Sequence, residues 1–198
     1  MILQEIMKYD MTTTIQRCPW CGQNPLYVAY HDKEWGKQVN DDKILFEFLI
    51  LESAQAGLSW FTILKRREGY RRLFADFDVH KVSQFSEEDI ARIMEDPAII
   101  RHKGKINAAV RNAQIFIEIQ KEYGSFYNYL YQFLPNQKPI INSIKSTQEI
   151  HPETTESKAI AKDLKKRGMK FFGSTICYAY MQAVGMVNDH LLDCDFRN

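Results

Sequence analysis

Apolar residues recur at helical spacing through most of the chain, and the strict alternation expected of strands is scarce. Around the stretch LESAQAGLSWFTILKRRE, Leu51 to Glu68, two apolar runs meet. Leu45, Phe46, Phe48, Leu49 and Ala56 lie in the first run, and Phe61, Ile63 and Leu64 in the second, enough for two buried helices. Asp41 or Asp42 caps the first helix, Ile44 to Ala56; Gly57 breaks it; Ser59 caps the second, which runs to about Phe74 and ends near Asp76. Further on, Ser86 and Asp89 form a capping box ahead of Ile90, Ile93 and Met94, and Asp96-Pro97 predicts another helix start. Ile99 to Lys105 is a tight connector, and a long amphipathic helix follows from Ile106 to about Tyr123, stopped by Gly124. Ser125 caps a helix over Phe126 to Phe133, Pro135 closes it, and Asn136 to Glu156 is polar, turn-rich and irregular. Helices resume over Ser157 to Arg167 and Ser174 to Val184, stopped by Gly168 and Gly185. The pattern predicts an all-α protein: a loosely held polar leader over 1–16, then a helical domain over 17–198, in one body or two lobes.

Composition narrows the class. With 198 residues, 45% hydrophobic and 26% charged, the chain can bury a real core and is not disordered on a large scale. No apolar run approaches a membrane span, and the N-terminus lacks the form of a secretion signal, which predicts a cytosolic protein with no membrane partner. A formal charge of +1 argues against a generally basic surface but leaves room for a local basic patch.

Three constellations can carry chemistry. The first comprises Cys18, Cys21 and His31 near one end and His190 and Cys194 at the other. His190 and Cys194 stand four apart, so one turn can aim both at one ion, and two thiolates with two imidazoles satisfy tetrahedral zinc. The alternative is scattered core thiols and solvated imidazoles. Cys18-Pro19-Trp20-Cys21 also has the spacing of a redox pair, but the βαβ context of that chemistry is missing. The second is the connector His102 to Lys105. Between Arg101 and Arg111 there are four Lys or Arg and no acid, and Gly104 permits a turn whose amides can face a phosphate. A solvated basic turn is the plainer reading. The third is aromatic: Trp20, Tyr27, Tyr30 and Trp60 with the carboxylate of Glu52, a set suited to a flat, electron-poor ligand, or else ordinary core.

Four long stretches in order carry a resemblance to the DNA-3-methyladenine glycosylase I family: NPLYVAYHDKEWG at Asn24 to Gly36, LESAQAGLSW at Leu51 to Trp60, IIRHKGKINA at Ile99 to Ala108, and LKKRGMKFFGSTICYAYMQAVGMVNDH at Leu164 to His190. The similarity runs from about Arg17 to Cys194. It implies a helix–hairpin–helix glycosylase fold with a structural zinc joining the N- and C-terminal segments on Cys18, His31, His190 and Cys194. It further implies a base pocket on Trp20, Tyr27, Tyr30, Glu52 and Trp60, in which Glu52 and Tyr30 take the catalytic part and Trp20, Tyr27 and Trp60 hold the base. DNA contacts fall on Gly57 and Leu58 and on the hairpin residues Arg101, His102, Lys103, Gly104 and Lys105. The implied partner is double-stranded DNA containing alkylated purines, the implied reaction is hydrolytic excision of 3-methyladenine by a monomer, and the alternative is a catalytically silent, zinc-stabilised DNA-binding module. Cys21 departs from the family pattern and is a competing ligand or a free thiol. The family lacks the aspartate that related glycosylases place after their hairpin, and here the helix after the hairpin has no acid until Glu118.

Overall fold

Helix α2, Asp42–Gln55, runs through the middle of the protein, and every residue from Leu45 to Ala54 along it is buried. A helix that is apolar on nearly all sides needs neighbours all round, and α2 is packed by helices from both halves of the chain. The computed structural model describes residues 15–197, and most of them are helical. The expectation for the leader concerns residues 1–14, which lie outside the described residues, except at its end, where Gln16 is tied to Asp195 by two hydrogen bonds, its amide donating to Oδ2 at 2.8 Å and its carbonyl accepting at 3.1 Å.

Helix α1 is Pro25–Lys33, capped by Asn24, a helix that the apolar pattern did not announce because it has almost no amphipathic contrast. After α2 the chain forms α3, Trp60–Leu64, and α4, Arg67–Leu73, instead of the single helix expected over Ser59 to Phe74. The chain turns at Lys65 and Arg66, where the φ/ψ of Arg66 leaves the helical region. Ser59 caps α3 as expected, its hydroxyl accepting from the Thr62 amide. Helices α5, Val79–Val82, and α6, Glu87–Glu95, follow, and α6 carries the Ser86/Asp89 capping box. Asp96-Pro97 does not open a helix. Asp96 Oδ1 instead accepts the Ala98 amide at 2.8 Å, a local turn that competes with helix formation.

Helix α7, Lys103–Tyr123, begins three residues earlier than the pattern predicts because the His102 ring, not an aspartate or serine, accepts the Lys105 amide at its start. Gly124 ends α7 and Gly168 ends α9, Thr155–Arg167, both in the left-handed conformation that the sequence predicts. Between them lies α8, Phe126–Tyr131, and α10 is Ser174–Ala183. Asp42 joins the halves: its carboxylate accepts the Phe126 and Tyr127 amides at the start of α8 and the Gln120 side chain of α7.

The irregular segment 136–156 holds one departure from an all-helical protein. Strand β1, Ile140–Ile141, pairs in parallel with β2, Val187–Asn188, and an isolated bridge joins Ile144 to Leu191. Two residues per strand add little stability, but the pairing fixes the segment that carries His190.

Candidate functional site

The metal candidates meet. Cys18 precedes the 3-10 turn Pro19–Cys21, His31 is in the last turn of α1, and His190 and Cys194 follow β2, yet their ligand atoms all lie within 4.8 Å of one another, and all four residues are buried. Cys18 Sγ is 3.6 Å from His190 Nδ1, which is 3.3 Å from Cys194 Sγ, which is 3.5 Å from His31 Nε2. Tetrahedral zinc with ordinary bond lengths gives about 3.5 Å between a sulfur and a nitrogen ligand, so the spacing fits.

The surroundings fix which nitrogen faces inward. His31 Nδ1 donates to Asp32 Oδ1 at 2.7 Å, and His190 Nε2 donates to the Trp35 carbonyl at 3.1 Å. Each imidazole therefore turns its remaining lone pair toward the two sulfurs, and outer hydrogen bonds of this kind hold metal-binding histidines in place. Arg17 grips Asp32 through Nε and Nη2, and the Leu191 amide donates to Cys18 Sγ. Gly36 lies where any side chain would crowd the cluster, since a Cβ there would come 3.0 Å from His190 Cδ2. Burial pushes the Cys18 thiol up to about 12 and the His190 imidazole down to about 4. Cys21 is buried but outside the cluster, its thiol 3.8 Å from the Gly22 carbonyl.

Against this cluster stands an aromatic cavity of about 350 Å³. Trp20, Tyr27, Tyr30, Glu52 and Trp60, the residues expected to bind a base, all line it. Trp20 belongs to both places: its ring centroid is 5.2 Å from His31, 5.1 Å from Tyr27 and 4.8 Å from Trp35. Trp60, at the first position of α3, is 5.3 Å from Tyr30 and lies nearly parallel to Phe48. The Ser59 cap thus sets where the indole stands.

Glu52 is 2% exposed, and desolvation holds its carboxyl well above the usual range. Among the described residues its Oε2 has no hydrogen-bond partner, and neither do Trp20 Nε1, Gln55 Oε1 or Trp60 Nε1 around the same cavity. Native proteins leave few such atoms unsatisfied, so four around one cavity mark a place shaped for a polar ligand. Tyr30 is close enough for Glu52 to raise its phenol further, but no hydrogen bond joins the two among the described residues.

Sequence reasoning missed Trp35, Gln55, Thr147, Ile150, Ala179 and Gln182 in this lining. Gln55 stands three residues after Glu52 on one helix, a signal that was available. Thr147 and Ile150 come from the irregular segment and gave none. A larger groove of about 540 Å³ lies along the N-terminal half of α2, but its buried Glu47 is paired with Arg67 and Arg71, and Arg67 also holds Glu34.

The residues expected to contact DNA fall on two turns outside the cavity lining. Gly57, with φ +83°, turns the chain after α2, and a Cβ there would meet open space. Leu58 projects beside it, 40% exposed. Arg101 and His102 just before α7, and Lys103 and Gly104 in its first turn, are exposed, but Lys105 turns inward: Nζ donates to the carbonyls of Ala54 and Ala56 at 2.8 and 2.7 Å. A second helix–turn–helix, α9 and α10 with residues 168–173 between them, touches the first where the Phe171 and His102 rings lie 5.7 Å apart. Beside it Lys158, Lys162, Lys165 and Lys170 line a groove, and α10 starts at Gly173 with no side-chain cap. The stretch Leu164 to His190 spans this turn, but no expected DNA contact fell on 168–173.

A sequence profile described as methyladenine glycosylase matches residues 20–198. The chain is 47% identical over 180 residues to the DNA-3-methyladenine glycosylase 1 of Escherichia coli K12, spanning 91% of this chain and 96% of that one. It is 46% identical over 184 residues to the DNA-3-methyladenine glycosylase of Haemophilus influenzae, covering 93% and 97%. A crystal structure of a variant 3-methyladenine DNA glycosylase I in complex with 3-methyladenine superposes with a TM-score of 0.89 at 37% identity, over 92% of this chain and 97% of that one.

Proposed function

The chain belongs to the methyladenine glycosylase family, and from that premise we propose that its aromatic cavity receives 3-methyladenine extruded from duplex DNA and releases it by hydrolysing the N-glycosidic bond. The observation that carries the reading is Glu52: a buried carboxyl with an unpartnered oxygen, set among aromatic rings with two unpartnered indole N–H groups.

The chemistry follows from the ring's charge. A purine alkylated at N3 is cationic, so when the C1′–N bond breaks its electron pair neutralises the base, and water completes the reaction at C1′. Such a leaving group needs no strong general acid. What the protein must supply is extrusion, at a few kcal/mol, and a pocket that prefers a cation. Burial disfavours the charged form of Glu52; a cationic ring supplies an opposing charge, so base entry and carboxylate ionisation favour one another. Trp60 and Tyr27 stack on the base, Trp20 closes the pocket, and Tyr30 orients the base beside Glu52. A protein that had kept the fold as a silent DNA-binding module would have no use for an unpartnered buried carboxyl, whose cost falls on stability alone.

We further propose that Cys18, His31, His190 and Cys194 hold one zinc. Four protein ligands leave no open position, so the ion's part is structural: it joins the two ends of the described chain, whose packed core we read as one helical domain. The DNA interface comprises Gly57 and Leu58 at the cavity mouth, the basic turn Arg101 to Gly104, and the neighbouring 168–173 turn, which together give the helix–hairpin–helix character the resemblance implies.

The test is chromatography of the bases released from methylated duplex DNA. The wild type is expected to release 3-methyladenine and to leave normal adenine untouched, while Trp60→Ala loses stacking worth about 1–3 kcal/mol, or roughly 5- to 150-fold. Release of 7-methylguanine as efficiently as 3-methyladenine would show that the pocket is not the narrow one argued here.

A further inference from the structure

Lysine at a DNA-facing turn is ordinarily counted as a phosphate contact, and Lys105 occupies such a turn. Its ammonium is spent elsewhere. It donates to the carbonyls of Ala54 and Ala56, at 2.8 and 2.7 Å, and these are among the last acceptors of α2, which lack intrahelical partners. A cation is favoured at that end of a helix.

The place of the contact gives it meaning. Ala54 lies two residues beyond Glu52, and Ala56 immediately precedes Gly57 and Leu58. Side-chain packing adds little to this loop, since a Cβ on Gly57 would touch nothing and Leu58 is exposed; its other tie is local, the Leu58 amide donating to the Gln55 carbonyl. Lys105 itself stands in the first turn of α7, three residues after His102, whose ring accepts its amide. One side chain therefore ties the turn at the start of α7 to the backbone between the buried carboxyl and the cavity mouth. No carboxylate partner is present at its ammonium in the described contacts, so the two carbonyls are the tie.

We propose that Lys105 is a positioning residue: it holds the C-terminus of α2, and with it Glu52 and the Gly57–Leu58 loop, in register with the 99–105 turn, so that DNA seated on the turn presents its nucleotide to a correctly placed pocket. This rests on the excision reading given above. Misplacement of about 1 Å costs on the order of 100-fold in rate.

The experiment compares Lys105→Met, which keeps the stem and loses both donors, Lys105→Arg, which restores two donors, and Lys103→Met, which removes an exposed charge from the same turn. Two quantities are read: the single-turnover rate of 3-methyladenine release with protein in saturating excess, and the slope of log affinity against log salt for an undamaged duplex. Lys105→Met is expected to lower the saturated rate about 10- to 100-fold with an unchanged salt slope, and Lys105→Arg to recover most of the rate. Lys103→Met calibrates the slope, with a loss of about 0.9 for one phosphate. A slope loss of that size in Lys105→Met, an unchanged saturated rate, or no recovery in Lys105→Arg overturns the proposal. A wild type that releases no 3-methyladenine at all would instead defeat the excision reading. Melting curves of each variant separate loss of fold from loss of position.

Discussion

The Cys/His cluster and the aromatic cavity share Trp20 as a wall, and they treat buried polar groups in opposite ways. In the cluster each imidazole has a partner for its outer nitrogen, and the four ligand atoms face one another. In the cavity wall four buried polar atoms, Trp20 Nε1, Glu52 Oε2, Gln55 Oε1 and Trp60 Nε1, have no hydrogen-bond partner among the described residues. A buried polar atom without a partner costs about 1–3 kcal/mol, so the cavity is a region of stored destabilisation beside a cluster that, holding the proposed zinc, would staple the chain. The contrast teaches that the stability of this fold and its chemistry are drawn from different residues, and it can be broken from either side.

The largest effect is expected on the staple. Ligands from sequence positions 18 and 194 close nearly the whole described chain, and a cross-link of that span is worth roughly 4–5 kcal/mol on a loop-entropy model borrowed from disulfides. His190→Ala or Cys194→Ala is therefore expected to abolish zinc content, read by metal analysis, and to lower the melting temperature steeply. Zinc bound at one per chain in the variants would remove these residues from the ligand set.

Next comes the cavity. Glu52→Gln keeps the shape and removes the charge, and we expect release of 3-methyladenine to fall about 100- to 1,000-fold, the scale of losing one group aimed at developing charge, with affinity for undamaged duplex unchanged. Full activity in the variant would mean that another group balances the ring.

The same substitution should move stability the other way, and the sign follows from the burial. The folded-state pKa of Glu52 lies well above its unfolded value. The folded protein thus holds a proton that the unfolded chain has released, and stability falls as pH rises from the ordinary carboxylate range up through the folded pKa. Excision has the opposite trend, since the ionised form pairs with the cationic base. Glu52→Gln is expected to be at least as stable as wild type at neutral pH and to lose the part of the pH dependence of melting that Glu52 contributes; a variant less stable than wild type across the whole range contradicts this.

How much of this was legible follows from the kind of signal each part leaves. The α2 helix, the capping box of α6 and the glycine stops after α7 and α9 were readable because propensity, capping and burial agree there. The break between α3 and α4 was not, because Lys65-Arg66-Arg67 has nothing that forbids a continuous helix; the break lets Arg67 reach Glu34 and Glu47, a tertiary gain. His102 as a cap was hidden for a similar reason, since histidine is an uncommon choice at that position. The resemblance singled out Glu52, its aromatic neighbours and the four metal candidates, and the structure brings each of those groups together. It gave no hint that Lys105 points inward, since a lysine in a basic turn reads the same whether its ammonium meets a phosphate or a helix end.

The smallest effect is the one that tests the border between the two regions. Cys21 is buried beside the cluster, in the same 3-10 turn as Trp20, and spacing alone allowed it as a ligand. The geometry excludes it from the group of four, and among the described residues its thiol makes one weak hydrogen bond, to the Gly22 carbonyl. Desolvation raises its thiol pKa, so it remains a neutral, small, apolar side chain. Cys21→Ser replaces that with a hydroxyl of similar size, and the cost should stay within about 1–3 kcal/mol, the penalty for burying a polar group poorly matched to its surroundings. Zinc content and the rate of 3-methyladenine release should match wild type. The informative comparison is with Cys18→Ser, which should lose metal while Cys21→Ser keeps it. If the two exchange behaviour, the 3-10 turn must present its other end to the cluster, and Trp20 would then stand on a different wall of the cavity.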